Sequence, residues 1–173
     1  ILEIGGSFGE NCYALESINK KDVIFSVLES HKIKELSIKL KNNIKYYSNL
    51  SYALSEFKPD LIFSSSTLQY TPNPFEILST INHYKPKMIS FTRNSFSKDT
   101  SYYSQPTELK LNGYGNHLIN YKNKFLVYPH TTLNFEKFNN KLSNFSIFYE
   151  EKDDDYKIRD DSFSKNLIYI LNN

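Results

Sequence analysis

Near the start of the sequence, a short apolar segment runs directly into a glycine-containing turn. Ile1–Ile4 has the composition of a buried strand, and Gly5–Gly9 reads GGSFG. Glycines between a first strand and a first helix let a ligand approach the backbone closely. A second apolar strand, Asp22–Leu28, is followed by Glu29, about 20 residues after the turn, where a carboxylate is suited to accept hydrogen bonds from ribose hydroxyls. Together these features predict a nucleoside-containing ligand at the carboxyl edge of a sheet.

The spacing within the turn bears on which nucleoside is bound. A dinucleotide fingerprint, G-x-G-x-x-G, would need its third glycine at Glu10, where a carboxylate would repel a pyrophosphate at the helix N-terminus. S-adenosylmethionine (SAM) has no phosphate and a cationic sulfonium, so Glu3 and Glu10 are compatible with it. The turn also lacks the Gly-Lys-Ser/Thr ending of a P-loop. The sequence of the turn therefore favours SAM over NAD as the ligand. The alternative is that the glycines only shape a tight turn between the strand and the helix and bind no ligand.

Apolar strands alternate with helical segments along most of the sequence. This alternation predicts a single α/β domain over residues 1–173, with a Rossmann-like, seven-stranded, mostly parallel sheet and helices on both faces. The predicted strands are Ile1–Ile4, Asp22–Leu28, Ile44–Tyr47, Asp60–Ser64, Lys87–Thr92, Phe145–Glu150 and Asn166–Leu171. Only a polar connection separates the last two strands, too short for a parallel crossover, so we expect them to form an antiparallel hairpin at the sheet edge.

The segment from residue 94 to 132 shows no clear hydrophobic period and is longer than an ordinary connection. We expect an irregular insertion, or lid, over the ligand cleft. It contains His117 and His130, either of which would be able to take a proton from an acceptor hydroxyl near neutral pH. His130 is the better candidate, because it follows Pro129 and precedes the predicted helix Leu133–Leu142. A surface or capping histidine is the alternative.

Composition excludes several classes of function. A net charge of +2 gives no argument for a nucleic-acid or membrane-surface partner, and Cys12, the single cysteine, excludes an internal disulfide. The four histidines show no metal-ligand spacing, so no metal site is predicted. No apolar run approaches the roughly 20 residues of a membrane span, and a cytoplasmic protein is expected. The sequence opens on Ile1 rather than Met, from which we expect a piece of a longer protein that has other domains.

The motif ILEIGGSFG resembles the first motif of class I SAM-dependent methyltransferases. The chain is more specifically similar to a bacterial methyltransferase family found with surface-polysaccharide genes. The matching segments are VLES (Val27–Ser30), PDLIFSSSTLQYTPNPFEIL (Pro59–Leu78), SFTRNSFS (Ser90–Ser97) and YPHTTLNFEKF (Tyr128–Phe138). The chain departs from the family at Ser7, which replaces a second glycine, and at Ser48-Asn49, where an Asp often contacts adenine. It also lacks the helices that precede the first strand in the family.

The resemblance implies that SAM lies across the ends of the first, second and fourth strands and that a methyl group is transferred to a small-molecule or glycan acceptor, at a hydroxyl. The implied cofactor-binding residues are Glu3, Gly5, Gly6, Ser7 and Gly9 on the methionine side, Glu29 at the ribose, Asn49 and Leu50 at the adenine, and Ser64 and Ser65 along the cleft. Two alternatives stay open. One is a catalytically inactive, methyltransferase-like interaction module, and the other is an NAD or nucleotide-sugar enzyme, which the turn spacing disfavours.

Overall fold

The computed structural model describes residues 1–17, 22–40, 42–108, 124–153 and 161–173. Nine strands in these ranges form one mixed sheet. Their bounds are β1 Leu2–Ile4, β2 Ser26–Leu28, β3 Lys45–Tyr47, β4 Leu61–Ser65, β5 Met88–Ser97, β6 Ser101–Glu108, β7 Phe125–Asn134, β8 Phe145–Asp153 and β9 Phe163–Leu171. All seven strands predicted from the sequence are present, and β6 and β7 are additional.

Five helices and one 3₁₀ turn connect the strands in the described ranges. They are α1 Glu10–Ser17, α2 His31–Ser37, α3 Leu50–Phe57, the 3₁₀ turn Leu68–Tyr70, α4 Pro74–Tyr84 and α5 Phe135–Asn140. The side chains of Ser30, Asn49 and Asn134 cap α2, α3 and α5 by accepting hydrogen bonds from backbone N–H groups in the first turn. Helices α3 and α4 both end at a left-handed lysine followed by a proline, which cannot continue a helix.

The sheet is parallel in its first part and antiparallel at one end. Strands β3, β2, β1, β4 and β5 lie side by side in that order and run parallel. Strand β9 pairs antiparallel with β5, and β8 pairs antiparallel with β9. The predicted Rossmann-like class and the antiparallel C-terminal pair are therefore confirmed, with nine strands rather than seven.

The expectation that residues 94–132 are irregular is wrong for the described part of that segment. Strand β5 continues to Ser97, and β6 and β7 form an antiparallel hairpin. Phe96 of β5 pairs with Phe163 of β9 on one side and with Leu133 of β7 on the other. Strand β7 therefore joins β5 on the same side as β4, beyond the point where β4 ends. His117 lies outside the described residues.

The core has one apolar cluster on each face of the sheet. The larger one packs α3, α4 and α5 against the sheet, through residues such as Leu54, Leu78 and Phe138. The smaller one contains Cys12 of α1 with Phe25, Val27 and Tyr46. Neighbouring residues of β3 divide between them, since Tyr46 belongs to the smaller cluster and Tyr47 to the larger. Helices thus cover both faces, as predicted.

Candidate cofactor-binding site

Three non-glycine residues with left-handed backbone lie close to the level at which β1 and β4 end. Ser7 follows β1 with φ of 48°, Ser66 follows β4 with φ of 51°, and Arg93 lies in a bulge of β5 with φ of 56°. Side chains disfavour this conformation, and residues held in it cluster at ligand sites. Strands β1, β4 and β5 are adjacent in the sheet, so the strained residues mark one edge. This is the edge at which the sequence places the cofactor.

Side chains pack directly against the glycine turn. A Cβ atom on Gly5 would overlap the Thr67 side chain, one on Gly6 would overlap the Glu3 carboxylate, and one on Gly9 would overlap Ile44. Gly5 and Gly9 also have positive φ, at 76° and 85°. These glycines are therefore required by packing within the protein. A close approach of ligand to Gly9 stays a prediction beside this packing role.

The Glu29 carboxylate connects the end of β2 to the glycine turn. Its Oε1 accepts a hydrogen bond from the Ser7 backbone N–H at 3.1 Å, and its Oε2 accepts one from the Ser30 N–H at 2.7 Å. A carboxylate has about four acceptor positions. Two hydrogen bonds therefore leave Glu29 capacity to accept from a further pair of donors, such as ribose hydroxyls.

A second carboxylate lies beneath the turn. The Glu3 side chain is 3% exposed, and its Oε1 accepts a hydrogen bond from Asn11 Nδ2 at 2.6 Å. No described residue donates a hydrogen bond to Oε2. Burial raises the pKa of the Glu3 carboxyl, the Asn11 hydrogen bond opposes this, and the nearby Glu10 and Glu29 add to the rise. An anionic surrounding of this kind favours a cationic ligand group.

The residues predicted at the adenine side line a groove of about 290 Å³. The groove lies at the N-terminal ends of α3 and α4, and its walls include Asn49 and Leu50 on one side and Thr71 and Pro72 on the other. Asn49 also accepts a hydrogen bond from the Tyr52 N–H at 2.8 Å, so its side-chain oxygen is held by the helix cap. The turn glycines are not among the described residues that line this groove.

The two serines predicted along the cleft lie at the end of β4. The Ser64 hydroxyl is fully buried and donates to the Ile4 carbonyl oxygen at 3.2 Å, which ties β4 to β1 beneath the turn. The Ser65 carbonyl oxygen accepts from the Thr67 hydroxyl at 3.0 Å and so shapes the loop after β4. Both therefore support the loop whose Thr67 packs on Gly5.

Gln69, which the sequence analysis did not single out, bridges two of the strained residues. Its side chain is fully buried, and its Nε2 donates to Ser66 Oγ at 2.9 Å and to the Arg93 carbonyl oxygen at 3.3 Å. The Arg93 N–H is held in turn by Asn166 Oδ1 at 3.0 Å. The bulge in β5 is therefore fixed from both sides. The sequence signal was a polar residue between Leu68 and Tyr70 just after a strand.

His130 lies in β7 and is 1% exposed. Its ring stacks at 32° on Tyr103, with centroids 4.6 Å apart, and meets the Tyr70 ring edge-on at 5.1 Å. No described residue forms a hydrogen bond to either ring nitrogen. Burial lowers the pKa of the His130 imidazole to about 4, so the ring is neutral at pH 7 and one nitrogen is able to accept a hydrogen bond.

Two further features concern metal ions and membranes in the described ranges. No group of three His, Cys, Asp or Glu side chains there is arranged to hold a metal ion. No helix in those ranges combines the length and apolar character needed to span a membrane.

The sequence matches no protein-family model and no curated protein. Solved structures do resemble the chain over almost its whole length. The N-terminal domain of EvdMO1, crystallised in the presence of S-adenosylhomocysteine (SAH) and D-fucose, has a TM-score of 0.60 at 10% identity, covering 99% of this chain and 75% of that chain. The glycopeptide N-methyltransferase MtfA, complexed with SAM, has a TM-score of 0.61 at 10% identity, covering 99% of this chain and 81% of that chain.

A third similar structure is a SAM-dependent methyltransferase from Clostridium acetobutylicum ATCC 824. Its TM-score is 0.57 at 10% identity, and the match covers 99% of this chain and 83% of that chain. The described chain therefore has the Rossmann-like fold of SAM-dependent methyltransferases.

Proposed function

We propose that the chain binds SAM and transfers its methyl group to a hydroxyl of a small-molecule or glycan acceptor. The observation that carries this proposal is the Glu29 carboxylate, which is anchored to the glycine turn and retains acceptor capacity at the strained edge of the sheet. The fold supports it, because similar structures were crystallised with SAM or SAH.

The residues at this edge fit the parts of SAM. Glu29 would accept hydrogen bonds from the ribose, Asn49 and Leu50 would border the adenine, and Glu3 would face the positive charge of the methionine end. Gly5, Gly6, Ser7 and Gly9 shape the turn on that side, and Ser64 and Ser65 support the loop opposite it. The buried Glu3 Oε2, to which no described residue donates, suits an ammonium donor. Bound SAM would supply an electrophilic methyl group on a cationic sulfonium.

An acceptor hydroxyl is the finer part of the proposal. The N-terminal domain of EvdMO1 was crystallised in the presence of D-fucose, and MtfA is a glycopeptide N-methyltransferase. The D-fucose in the one crystal and the glycopeptide in the name of the other protein support a sugar-bearing acceptor, in agreement with the family resemblance of the sequence. The choice of a hydroxyl rests on that resemblance, because MtfA is an N-methyltransferase. The chain's contribution to such a transfer is mainly to align the acceptor with the methyl group.

His130 is the proposed proton acceptor. The acceptor oxygen would gain the methyl group and lose its proton to a ring nitrogen of His130. Burial lowers the pKa of this imidazole to about 4, which keeps it neutral at pH 7 but makes it a weak base while the ring stays buried. The ring is 1% exposed and meets the Tyr70 ring edge-on, so an acceptor hydroxyl would reach it only after the surrounding side chains rearrange.

A SAM-binding module without turnover is the second candidate, and the 1% exposure of His130 is the observation that favours it. Calorimetric titration with SAM, SAH and NAD tests the shared part of both proposals. Binding of SAM or SAH without binding of NAD is expected, and binding of NAD alone would overturn both. Methyl transfer assays with glycan acceptors then separate the two candidates.

A further inference from the structure

The β6–β7 hairpin has two sides of different character. Directly paired residues of antiparallel strands share one side. The inner side, which faces Tyr70, consists of Ser101, Tyr103, Gln105, Thr107, Leu126, Tyr128, His130 and Thr132. The opposite, outer side contains Tyr102 and Val127, which are 72% and 64% exposed.

Tyr70 fastens the inner side to the loop after β4. Its hydroxyl donates to Gln105 Oε1 at 3.1 Å, and its ring meets the Tyr128 ring edge-on with centroids 6.4 Å apart. Tyr70 ends the 3₁₀ turn that follows Thr67, and Thr67 packs on Gly5 of the glycine turn. The inner side of the hairpin is therefore connected through one short loop to the proposed cofactor site.

Burial decreases along the inner side from the sheet outward. His130 is closed off, Gln105 and Tyr128 are half-buried, and Leu126 is 40% exposed. Tyr70 itself is 36% exposed. The residues Tyr70, Gln105 and Tyr128 thus form a partly exposed strip between the exposed Leu126 and the buried His130. We refer to these three residues as the tyrosine–glutamine strip.

The chemistry of the inner side limits what it would bind. None of its described positions carries Asp, Glu, Lys or Arg, so a charged ligand group would lose hydration there and gain no counter-charge from these positions. The Gln105 amide provides Nε2 donors beside the Oε1 that accepts from Tyr70, and the tyrosine rings provide apolar surface with polar tips. An uncharged ring that carries hydroxyls matches this combination.

We propose that the tyrosine–glutamine strip binds the methyl acceptor and selects an uncharged, hydroxyl-bearing ring. The assignment rests on the proposed function, because it places the acceptor beside the proposed SAM site. It adds specificity residues that are separate from the cofactor-binding residues and from His130.

Saturation-transfer NMR on the SAH-saturated protein tests the proposal, with methyl β-D-glucopyranoside as the neutral probe and glucuronate and glucosamine as charged probes. Tyr128→Ala and Gln105→Leu each remove one element of the strip, and Tyr102→Ala on the outer side of the same hairpin is the matched control. We expect the neutral probe to bind about 2- to 12-fold more weakly to the strip variants, the range of a lost aromatic contact for Tyr128→Ala and of a lost hydrogen bond for Gln105→Leu, and equally well to Tyr102→Ala. Melting temperatures establish that each variant is folded.

The outcomes separate this inference from the proposed function. Failure of SAH to bind in the accompanying titration would reject the proposed function. Binding of SAH together with equal weakening by Tyr102→Ala and the strip variants would reject the strip. A stronger signal from either charged probe, or no signal from the neutral probe, would also reject it. Weaker binding of the neutral probe by the strip variants, with unchanged binding by Tyr102→Ala, supports the proposal.

Discussion

The carboxylate of Glu29 accepts a hydrogen bond from the backbone N–H of Ser7 at 3.1 Å, joining the end of the second strand to the turn after the first. Ser7 has a left-handed backbone conformation that glycine would adopt at lower cost. The hydrogen bond therefore stabilises a strained turn in addition to placing a carboxylate at the ligand edge. Glu29 is expected to matter for binding and, to a smaller extent, for the shape of the turn.

We predict that Glu29→Ala weakens SAM binding without unfolding the protein. Losing charge-assisted hydrogen bonds to a ribose costs on the order of 1.5–3 kcal/mol, or roughly 10- to 150-fold in Kd. Calorimetry measures the change, with Glu35→Ala on the exposed surface of α2 as the control. Unaltered affinity in Glu29→Ala would remove the ribose assignment.

Gly5→Ala is expected to destabilise the protein because the new Cβ overlaps Thr67 and because Gly5 has φ of 76°. The left-handed backbone alone costs about 1–2 kcal/mol for a residue with a side chain. Urea unfolding of Gly5→Ala, Thr67→Ala and the double variant measures the part of the overlap that comes from Thr67 Oγ1 and Cγ2, since alanine keeps the Cβ at 2.8 Å. The double variant should be more stable than the sum of the single changes implies, and simple additivity would contradict the contact.

Gln69→Leu should lower the free energy of unfolding by about 1–3 kcal/mol, because it removes two hydrogen bonds made by a fully buried amide. Gln105→Leu is the matched control, since Gln105 is only half-buried and a change of about 0.5 kcal/mol or less is expected there. Chemical denaturation compares the two. Equal effects would show that the bulge at Arg93 does not depend on Gln69.

Stability should fall in acid because of His130. Burial lowers the pKa of its imidazole from 6.5 to about 4, so the unfolded chain binds a proton more readily between these values. The contribution is fully present above pH 6.5 and is lost as the pH falls toward 4, on the order of 3 kcal/mol in total. His130→Phe keeps an aromatic ring and should flatten this dependence in urea unfolding at pH 7.5 and 4.5. The raised pKa of Glu3 acts in the opposite direction, and it is common to both proteins.

The same variant tests the proposed chemistry. His130→Phe should bind SAM as the parent does and should lower methyl transfer by roughly 10²-fold, the contribution of a lost general base. A radiolabelled methyl-transfer assay with a glycan acceptor measures turnover. Unchanged turnover would exclude His130 from proton transfer and leave it as a packing residue of the hairpin.

The parallel part of the sheet was predictable because its strands are short apolar runs separated by helices with clear stop signals. Val27 and Ile62 illustrate this, since each is fully buried at the centre of its run. The β6–β7 hairpin was not predictable in the same way. Its inner and outer sides both carry tyrosine and small polar residues, so Tyr102 and Tyr103 give no alternation of hydrophobicity.

The candidate site also has residues that the sequence could predict and residues that it could not. Glu29 was identifiable because an acidic residue directly after a buried strand is a local pattern. The hydrogen bond from Gln69 to Arg93 joins residues 24 positions apart. The left-handed backbone at Arg93 is not marked in the sequence by a glycine, the residue that usually adopts this conformation. Such features arise from tertiary packing, which a single sequence does not display.

The position of β9 between β5 and β8 has a consequence for biosynthesis. A ribosome makes β8 before the strand that must separate it from β5, so the FSIFY segment Phe145–Tyr149 emerges without its partner. Short aromatic and β-branched segments of this kind are prone to pair with other chains until their own partner strand has been synthesised. The charged residues Glu150, Glu151 and Lys152 that follow immediately would act as gatekeepers, protecting the nascent chain until Phe163–Leu171 is available.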